Sequence, residues 1–313
     1  MKYIKYILVT LVTIYFLAGI GDYFYSNSLK DKPLFSGEVQ EWNRINNGDI
    51  KTDLAVFGSS RAMIHINPKI LKDSLKIEAF NLGLNGSKFK MQYYRFLNYL
   101  EENPHPKVIV WNLDTFSFSH IEEVFQPNQY TPFMLWNYKL YDYLKEYKDT
   151  NWLDFILPFY RYKDQKYWKD ELKKAAKEKV DKKGNFRDKG FKSYNRKWNV
   201  NWATLKAKDA DFDEDVYPLL EEVIKKCQEE NIQLIFTIAP EFKKGQAYML
   251  NREEIVNRYK TTLKKYDLPL IDFSDDSISY QQKWFYNTTH LTDKGADEFI
   301  RQLAKQLKHY IKQ

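Results

Sequence analysis

At 313 residues the chain has room for one large domain or two small ones, and a hydrophobic fraction of 43% suits a globular body. A single cysteine, Cys227, excludes an internal disulfide, and the absence of any CxxC or His/Cys cluster leaves no structural metal centre and no cofactor motif to expect. The formal net charge of +7 does not by itself select a partner, and 17% aromatic residues fit either an aromatic-rich core or flat contacts to sugars.

The chain opens MKYIKYILVTLVTIYFLAGIGDYFYSNS. Lys2 and Lys5 precede an uncharged, mostly apolar run from Tyr6 to Gly21, extendable through the aromatic DYFY segment. A cleaved signal peptide shares these features, but Gly19-Ile20-Gly21 is only a loose match to a cleavage site and no lipobox cysteine is present. Residues 1–21 are therefore expected to be an uncleaved membrane anchor. The two lysines place the N-terminus inside and the body of the chain outside the cytoplasmic membrane, single-pass. Residues 22–50 read as a polar, aromatic-dotted connector.

From Asp53 strands and helices alternate. DLAVFG (53–58) reads as a buried strand, NPKILKDSL as a helix with Pro68 in its first turn, and IEAFNLG (77–83) as a second strand. KFKMQYYRFLNYLEEN has helical spacing, and HPKVIVWNLD contains a third strand. Further on, LLEEVIKKCQEEN is helical, with Cys227 a half-buried thiol, and IQLIFTIAP (232–240) is a fourth strand. REEIVNRYKTTLKKYD is a helix, LPLIDFS a fifth strand, and DKGADEFIRQLAKQLKHYI a closing helix capped by Thr292. Short apolar strands between longer helices predict an α/β fold: a three-layer sandwich around a doubly wound, mostly parallel sheet.

The rhythm breaks between about 115 and 215, where a largely helical insertion carries five tryptophans and many tyrosines. Within it, 161–208 holds seventeen Lys and Arg against six Asp and Glu, so the rest of the chain is net acidic. Such a run reads as a solvated helical face or as a contact for anionic glycan or lipid head groups. Charge alone would admit nucleic acid, which the anchor argues against.

Open parallel sheets present ligands at the carboxyl ends of their strands. There the sequence has GSSR after the first strand, NLGLNGS after the second and WNLD after the third, with WFYNTTHLTDKGADEF near the C-terminus. Taken singly, Ser59 or Ser60 is a helix cap and His290 a surface residue. Taken together, a serine at a helix start and a histidine tuned to neutral pH can form a nucleophile and its base.

The set resembles the SGNH (GDSL-like) hydrolase superfamily, whose Gly-Asp-Ser block matches Gly58-Ser59-Ser60 and makes Ser60 the nucleophile candidate. The resemblance implies an SGNH/flavodoxin-like fold over 51–313. It matches the second block to Asn81–Gly86, giving Gly86 a backbone N–H for an oxyanion, and the final Asp-x-x-His block to Asn287-Thr-Thr-His290. The Gly-Ser-Ser form with an anchor is similar to the D-alanyl-lipoteichoic acid transfer and alginate O-acetylation proteins. Two departures stand out. The acidic member is Asn287, with Asp272 or Asp276 as conceivable substitutes, and the Gly-x-Asn-Asp block is poorly matched by Trp111-Asn112-Leu113-Asp114. Asn112 and Asn85 are the nearest side-chain candidates for the missing oxyanion donor.

Three functions follow. The first is an anchored extracytoplasmic serine esterase or O-acyltransferase acting on a cell-surface glycan or an acyl donor, with a membrane-bound acyl-transfer partner in the transfer case. The second is a non-catalytic glycan-binding or assembly subunit that keeps the fold. The third, a phosphate or nucleotide binder, lacks both a Walker lysine pattern and a GxGxxG turn.

Overall fold

The computed structural model describes residues 2–181 and 187–311. In chain order its helices and strands are α1 (Lys2–Lys30), α2 (Glu38–Asn46), β1 (Leu54–Phe57), α3 (Ser60–His65), α4 (Pro68–Leu75), β2 (Ala79–Asn81), α5 (Phe89–Glu102), β3 (Val108–Asn112), α6 (Tyr138–Leu144), α7 (Leu153–Ile156), α8 (Gln165–Asp181), α9 (Leu219–Glu229), β4 (Gln233–Ile238), α10 (Lys243–Gln246), α11 (Arg252–Lys265), β5 (Leu270–Asp272) and α12 (Asp293–Tyr310). The chain divides into two units. One joins residues 1–44 to 121–186, and the other joins 45–120 to 187–313.

The larger unit is built on one five-stranded sheet in the order β2-β1-β3-β4-β5, every pair parallel. Strand side chains alternate between faces, and both faces here are apolar, as helices on both sides require. Leu54 and Val56 of β1 and Val108 and Val110 of β3 pack with Leu71 of α4 and with Phe299, Leu303 and Leu307 of α12. The intervening residues Phe57 and Trp111 stack at 5.0 Å on the other face, where Phe96 of α5 lies 5.6 Å from each. Each such large side chain, fully buried, stabilises the fold by about 1.5–3 kcal/mol. Helix starts follow the expected chemistry. Asn67 caps α4 ahead of Pro68, and Thr292 caps α12 by accepting from the Gly295 N–H at 3.2 Å. Cys227 is buried on α9, and burial pushes its thiol up to about 12.

In the smaller unit, α1 continues past the expected anchor boundary at Gly21 to Lys30, so the first part of the 22–50 connector belongs to this helix, and a second helix, α2, follows within it. Buried positions on α1 recur at Gly19, Asp22, Ser26 and Leu29, one helical stripe. Leu29, Leu34, Phe35 and Val39 form a core with Tyr162 and Trp168 of the insertion.

The insertion departs from expectation in two ways. Its helices, α6 to α8, lie before residue 182, whereas 187–215 is mostly irregular, with one short 3-10 turn at Trp202–Thr204. The basic run 161–208 is also divided, since the unit boundary falls after residue 186. Residues 182–186 of that run lie outside the described residues.

Candidate active site

The order β2-β1-β3 makes the loops leaving β1 and β3 adjacent, which is the switch point where an open parallel sheet forms a crevice. Gly58 ends β1 with φ 140°, and a Cβ there would come within 2.8 Å of the Asn112 carbonyl oxygen and of the Ala62 Cβ. Only glycine fits this close, left-handed turn.

The two serines that follow have different positions. Ser59 is the N-cap of α3: its Oγ accepts from the Arg61 N–H at 3.2 Å, and its hydroxyl donates to Asp114 Oδ2. Ser60 Oγ lies 2.9 Å from His290 Nε2, although the two residues are 230 apart in sequence.

Asn287 stands behind the imidazole. Its Oδ1 accepts from the backbone N–H groups of Thr289 at 3.0 Å and His290 at 2.7 Å, which identifies that atom as the oxygen. The same oxygen is 3.2 Å from His290 Nδ1, so it accepts the Nδ1 proton and leaves the Nε2 lone pair facing Ser60. Thr289 Oγ1 also approaches Nδ1 at 3.2 Å. Tyr286 stacks on the His290 ring at 5.5 Å with planes 9° apart. Burial, then the positive charges of Arg61 and Arg196, hold His290 down to about 4. The residue is thus a neutral imidazole at neutral pH.

Arg196 reaches the site from the irregular half of the insertion. Its guanidinium lies 4.3 Å from the Tyr194 ring and 5.5 Å from the Tyr286 ring. The chain here is tied to the core by Lys192 N–H to the Met63 carbonyl at 3.3 Å and Asn199 N–H to the Tyr286 carbonyl at 3.0 Å.

Of the candidate oxyanion donors, Asn112 is excluded. It is fully buried, its Nδ2 donates to Asp114 Oδ1 at 2.8 Å, and its Oδ1 accepts from the Ala239 N–H at 2.9 Å. Its amide fastens β3 to the end of β4 and lies wholly beneath the surface a ligand would reach. Asn85 and Gly86 sit in the turn after β2, with Gly86 exposed at φ 65°. That turn adjoins the serine loop, because the Leu84 N–H donates to the Gly58 carbonyl at 2.8 Å. Asp272 and Asp276 do not replace Asn287 behind the histidine. Asp272 accepts from the Ser274 N–H at 2.9 Å, and Asp276 caps the turn at Ser277–Tyr280.

Sequence reasoning missed what lies beneath the serines. Arg61 is fully buried; Nε donates to Asp114 Oδ1 and Nη1 to Glu241 Oε1. Glu241 Oε2 is bridged by Arg252 Nε at 3.2 Å, and the Tyr259 hydroxyl donates to the Asp114 carbonyl at 2.9 Å. His65, also buried, accepts the Leu291 N–H on Nε2 at 3.1 Å and so pins the residue next to His290. Burial, with His290 and Arg61, holds His65 well below its ordinary range. The sequence signal available for the network was the Asp114 of the poorly matched third block. Among the described residues no cluster of His, Cys, Asp and Glu has the makings of a metal site.

No protein-family model and no curated protein matches the chain. Solved structures do resemble it. A GDSL-like lipase from Bacteroides thetaiotaomicron has 10% identity and TM-score 0.42, over 87% of this chain and 99% of the other. The acetyl xylan esterase AlAXEase has 13% identity and TM-score 0.42, over 83% and 100%. An acetyl xylan esterase, Est2A, from the rumen bacterium Butyrivibrio proteoclasticus has 10% identity and TM-score 0.37, over 82% and 63%. The chain is similar to these proteins at a level too low to carry its family or its activity.

Proposed function

We propose that the protein is a membrane-anchored serine esterase or O-acyltransferase whose chemistry is carried by Ser60, His290 and Asn287. The observation that carries this reading is the line Ser60 Oγ–His290 Nε2 at 2.9 Å and His290 Nδ1–Asn287 Oδ1 at 3.2 Å. In the reaction, Ser60 Oγ bonds to the acyl carbonyl carbon while its proton passes to His290 Nε2. The carbonyl π electrons move to oxygen, and the tetrahedral species collapses with loss of the alcohol, which takes the proton from His290. Water or a sugar hydroxyl then attacks the acyl-serine, His290 accepts its proton, and Ser60 leaves with that proton restored. Asn287 holds the tautomer without adding a charge, so the imidazolium is stabilised less than beside a carboxylate. The oxyanion donors proposed are the backbone N–H of Ser60, at the start of α3, and that of Gly86, with Asn85 beside it. The acceptor proposed is a hydroxyl of a cell-surface glycan, reached outside the membrane that α1 crosses.

The test is covalent labelling of the full chain with a fluorophosphonate, followed by hydrolysis of a chromogenic acetyl ester. Wild type should label at Ser60 and turn over. Ser60→Ala and His290→Ala should each lose labelling or turnover by about 10³-fold or more with unchanged melting, and the double variant should be no worse than either single one. Equal turnover in wild type and Ser60→Ala would remove the enzymatic reading.

A further inference from the structure

On α1 the exposed apolar side chains run from Tyr3 to Tyr25. At 1.5 Å per residue that band is about 33 Å long, the thickness of a bilayer hydrocarbon core. Among the described residues α1 is the one helix long and apolar enough to cross a membrane. Among the described residues, none covers the half of the band nearer Lys2, which is exposed throughout. The half from Tyr15 onward has protein against it.

The Tyr15 hydroxyl donates to the Ile156 carbonyl at 2.7 Å and accepts from Trp136 Nε1 at 2.9 Å. The Trp136 indole occupies the space a side chain on Gly19 would need. Phe159 lies against Gly21 and 6.1 Å from the Tyr25 ring. Asp22, the one acid in the band, is fully buried and answered by Arg161, whose Nη1 donates to Oδ2 at 2.9 Å, and by Ser26 Oγ at 3.0 Å. A carboxylate at this depth is tolerated because it is paired and hydrogen-bonded inside the protein.

Trp136 and the 151–160 stretch, which clasp the helix, are apolar and uncovered, whereas 138–150 between them is charged. Trp152 is 57% exposed, Trp136 41% and Phe159 42%, and Leu157 and Tyr138 are exposed beside them. Residues 151–160, NWLDFILPFY, contain one charge. Past Tyr25 the chemistry changes. A cleft of about 400 Å³ next to Tyr25 and Trp168 has Lys163 and Lys169 in its wall, and Lys30 lies 5.1 Å from the Phe133 ring. Aromatic rings at the level of Gly19 to Tyr25 and ammonium groups just beyond are the order found at a membrane–water interface.

We infer that Trp136 and the 151–160 segment form a membrane-seated patch: Trp136, Trp152, Leu157 and Phe159 enter the lipid leaflet distal to Lys2, alongside α1, while the charged 138–150 stretch stays in water. This rests on the proposal that α1 spans a bilayer. The unit then holds the protein to the membrane by a spanning helix and by an interfacial patch. The patch limits how far the helix can tilt and rotate.

All eight tryptophans lie outside α1, which makes fluorescence a clean probe. The full chain is reconstituted in phosphatidylcholine vesicles, with or without acyl chains brominated near the headgroup, and its binding is checked by flotation. Wild type should float, and shallow bromines should quench its tryptophan emission. Trp136→Phe with Trp152→Phe should float equally and lose most of that quenching, whereas Trp198→Phe should retain it. Flotation without quenching, or quenching that survives the double substitution, overturns the interfacial seat while leaving the anchor intact. Failure to float overturns both.

Discussion

His290 is the residue at which the site is most open to measurement. With a neutral amide behind the imidazole, burial and the two arginine charges outweigh the one opposing charge, Glu241, and the group is held at about 4. The imidazole is therefore unprotonated throughout the physiological range and, in the proposed role of base, weak, since basicity falls with pKa. Asn287→Asp places a carboxylate 3.2 Å from Nδ1, where Asn287 Oδ1 now lies. The acid limb of kcat/KM for ester hydrolysis should move up from about pH 4 by one to two units in this variant, with turnover retained or raised. An unmoved limb would mean that His290 is not the titrating base. The Ser60, His290 and Asn287 set was legible because it is local in kind: each residue stands in a short block with a glycine, a cap or a helix start beside it. Asn112 was misread for the same reason. Its block resembled a donor motif, but its amide is engaged with Asp114 and with the end of β4, 127 residues away, and no local pattern shows that.

At the level of elements, the strand–turn–helix from β1 to α3 is the piece the proposed chemistry depends on, and it is held from below. Arg61 points into the protein one residue after Ser60 points to the site, and its charge is balanced by Asp114 and Glu241, both buried. Asp114→Asn removes the nearer charge and leaves Arg61 underpaired in a fully enclosed position. It should cost about 3–5 kcal/mol in urea unfolding, while Glu214→Gln, which breaks the exposed pair with Arg258, should cost under about 1 kcal/mol. Similar losses in the two variants would contradict a supporting role for the buried network. The five strands and the helices flanking them were readable because apolar alternation and helical spacing repeat along the chain. The network was not, because Arg61 meets Asp114 and Glu241 across 53 and 180 residues.

For the whole molecule, the two depressed histidines set a direction for acid stability. His65 and His290 are kept neutral in the fold, while in the unfolded chain each takes a proton near the ordinary histidine value of 6.5. Between about pH 6.5 and 4 the unfolded state binds more protons, so their contribution is complete above that window and is lost as pH falls through it. For His290 the loss is on the order of 2–3 kcal/mol. The midpoint of urea unfolding should fall between pH 7 and pH 4.5, and His290→Gln should flatten the slope; an unchanged slope would count against the buried neutral imidazole. The division into two units was not legible either. The 161–208 run reads as one basic stretch of sequence, but its first part packs with α1 and its second part lines the site, because each is drawn to a different apolar core.

The distance along the chain between Ser60 and His290 also orders events in time. A polypeptide is made from its N-terminus at about 5–20 residues per second, so some ten to fifty seconds separate the emergence of these two residues. Throughout that interval the growing chain carries the serine without its base. On the proposed reading, the acyl chemistry is switched on only when His290 arrives and α12 begins to pack on α3 and α4, so an unfinished chain would be chemically silent toward the esters around it.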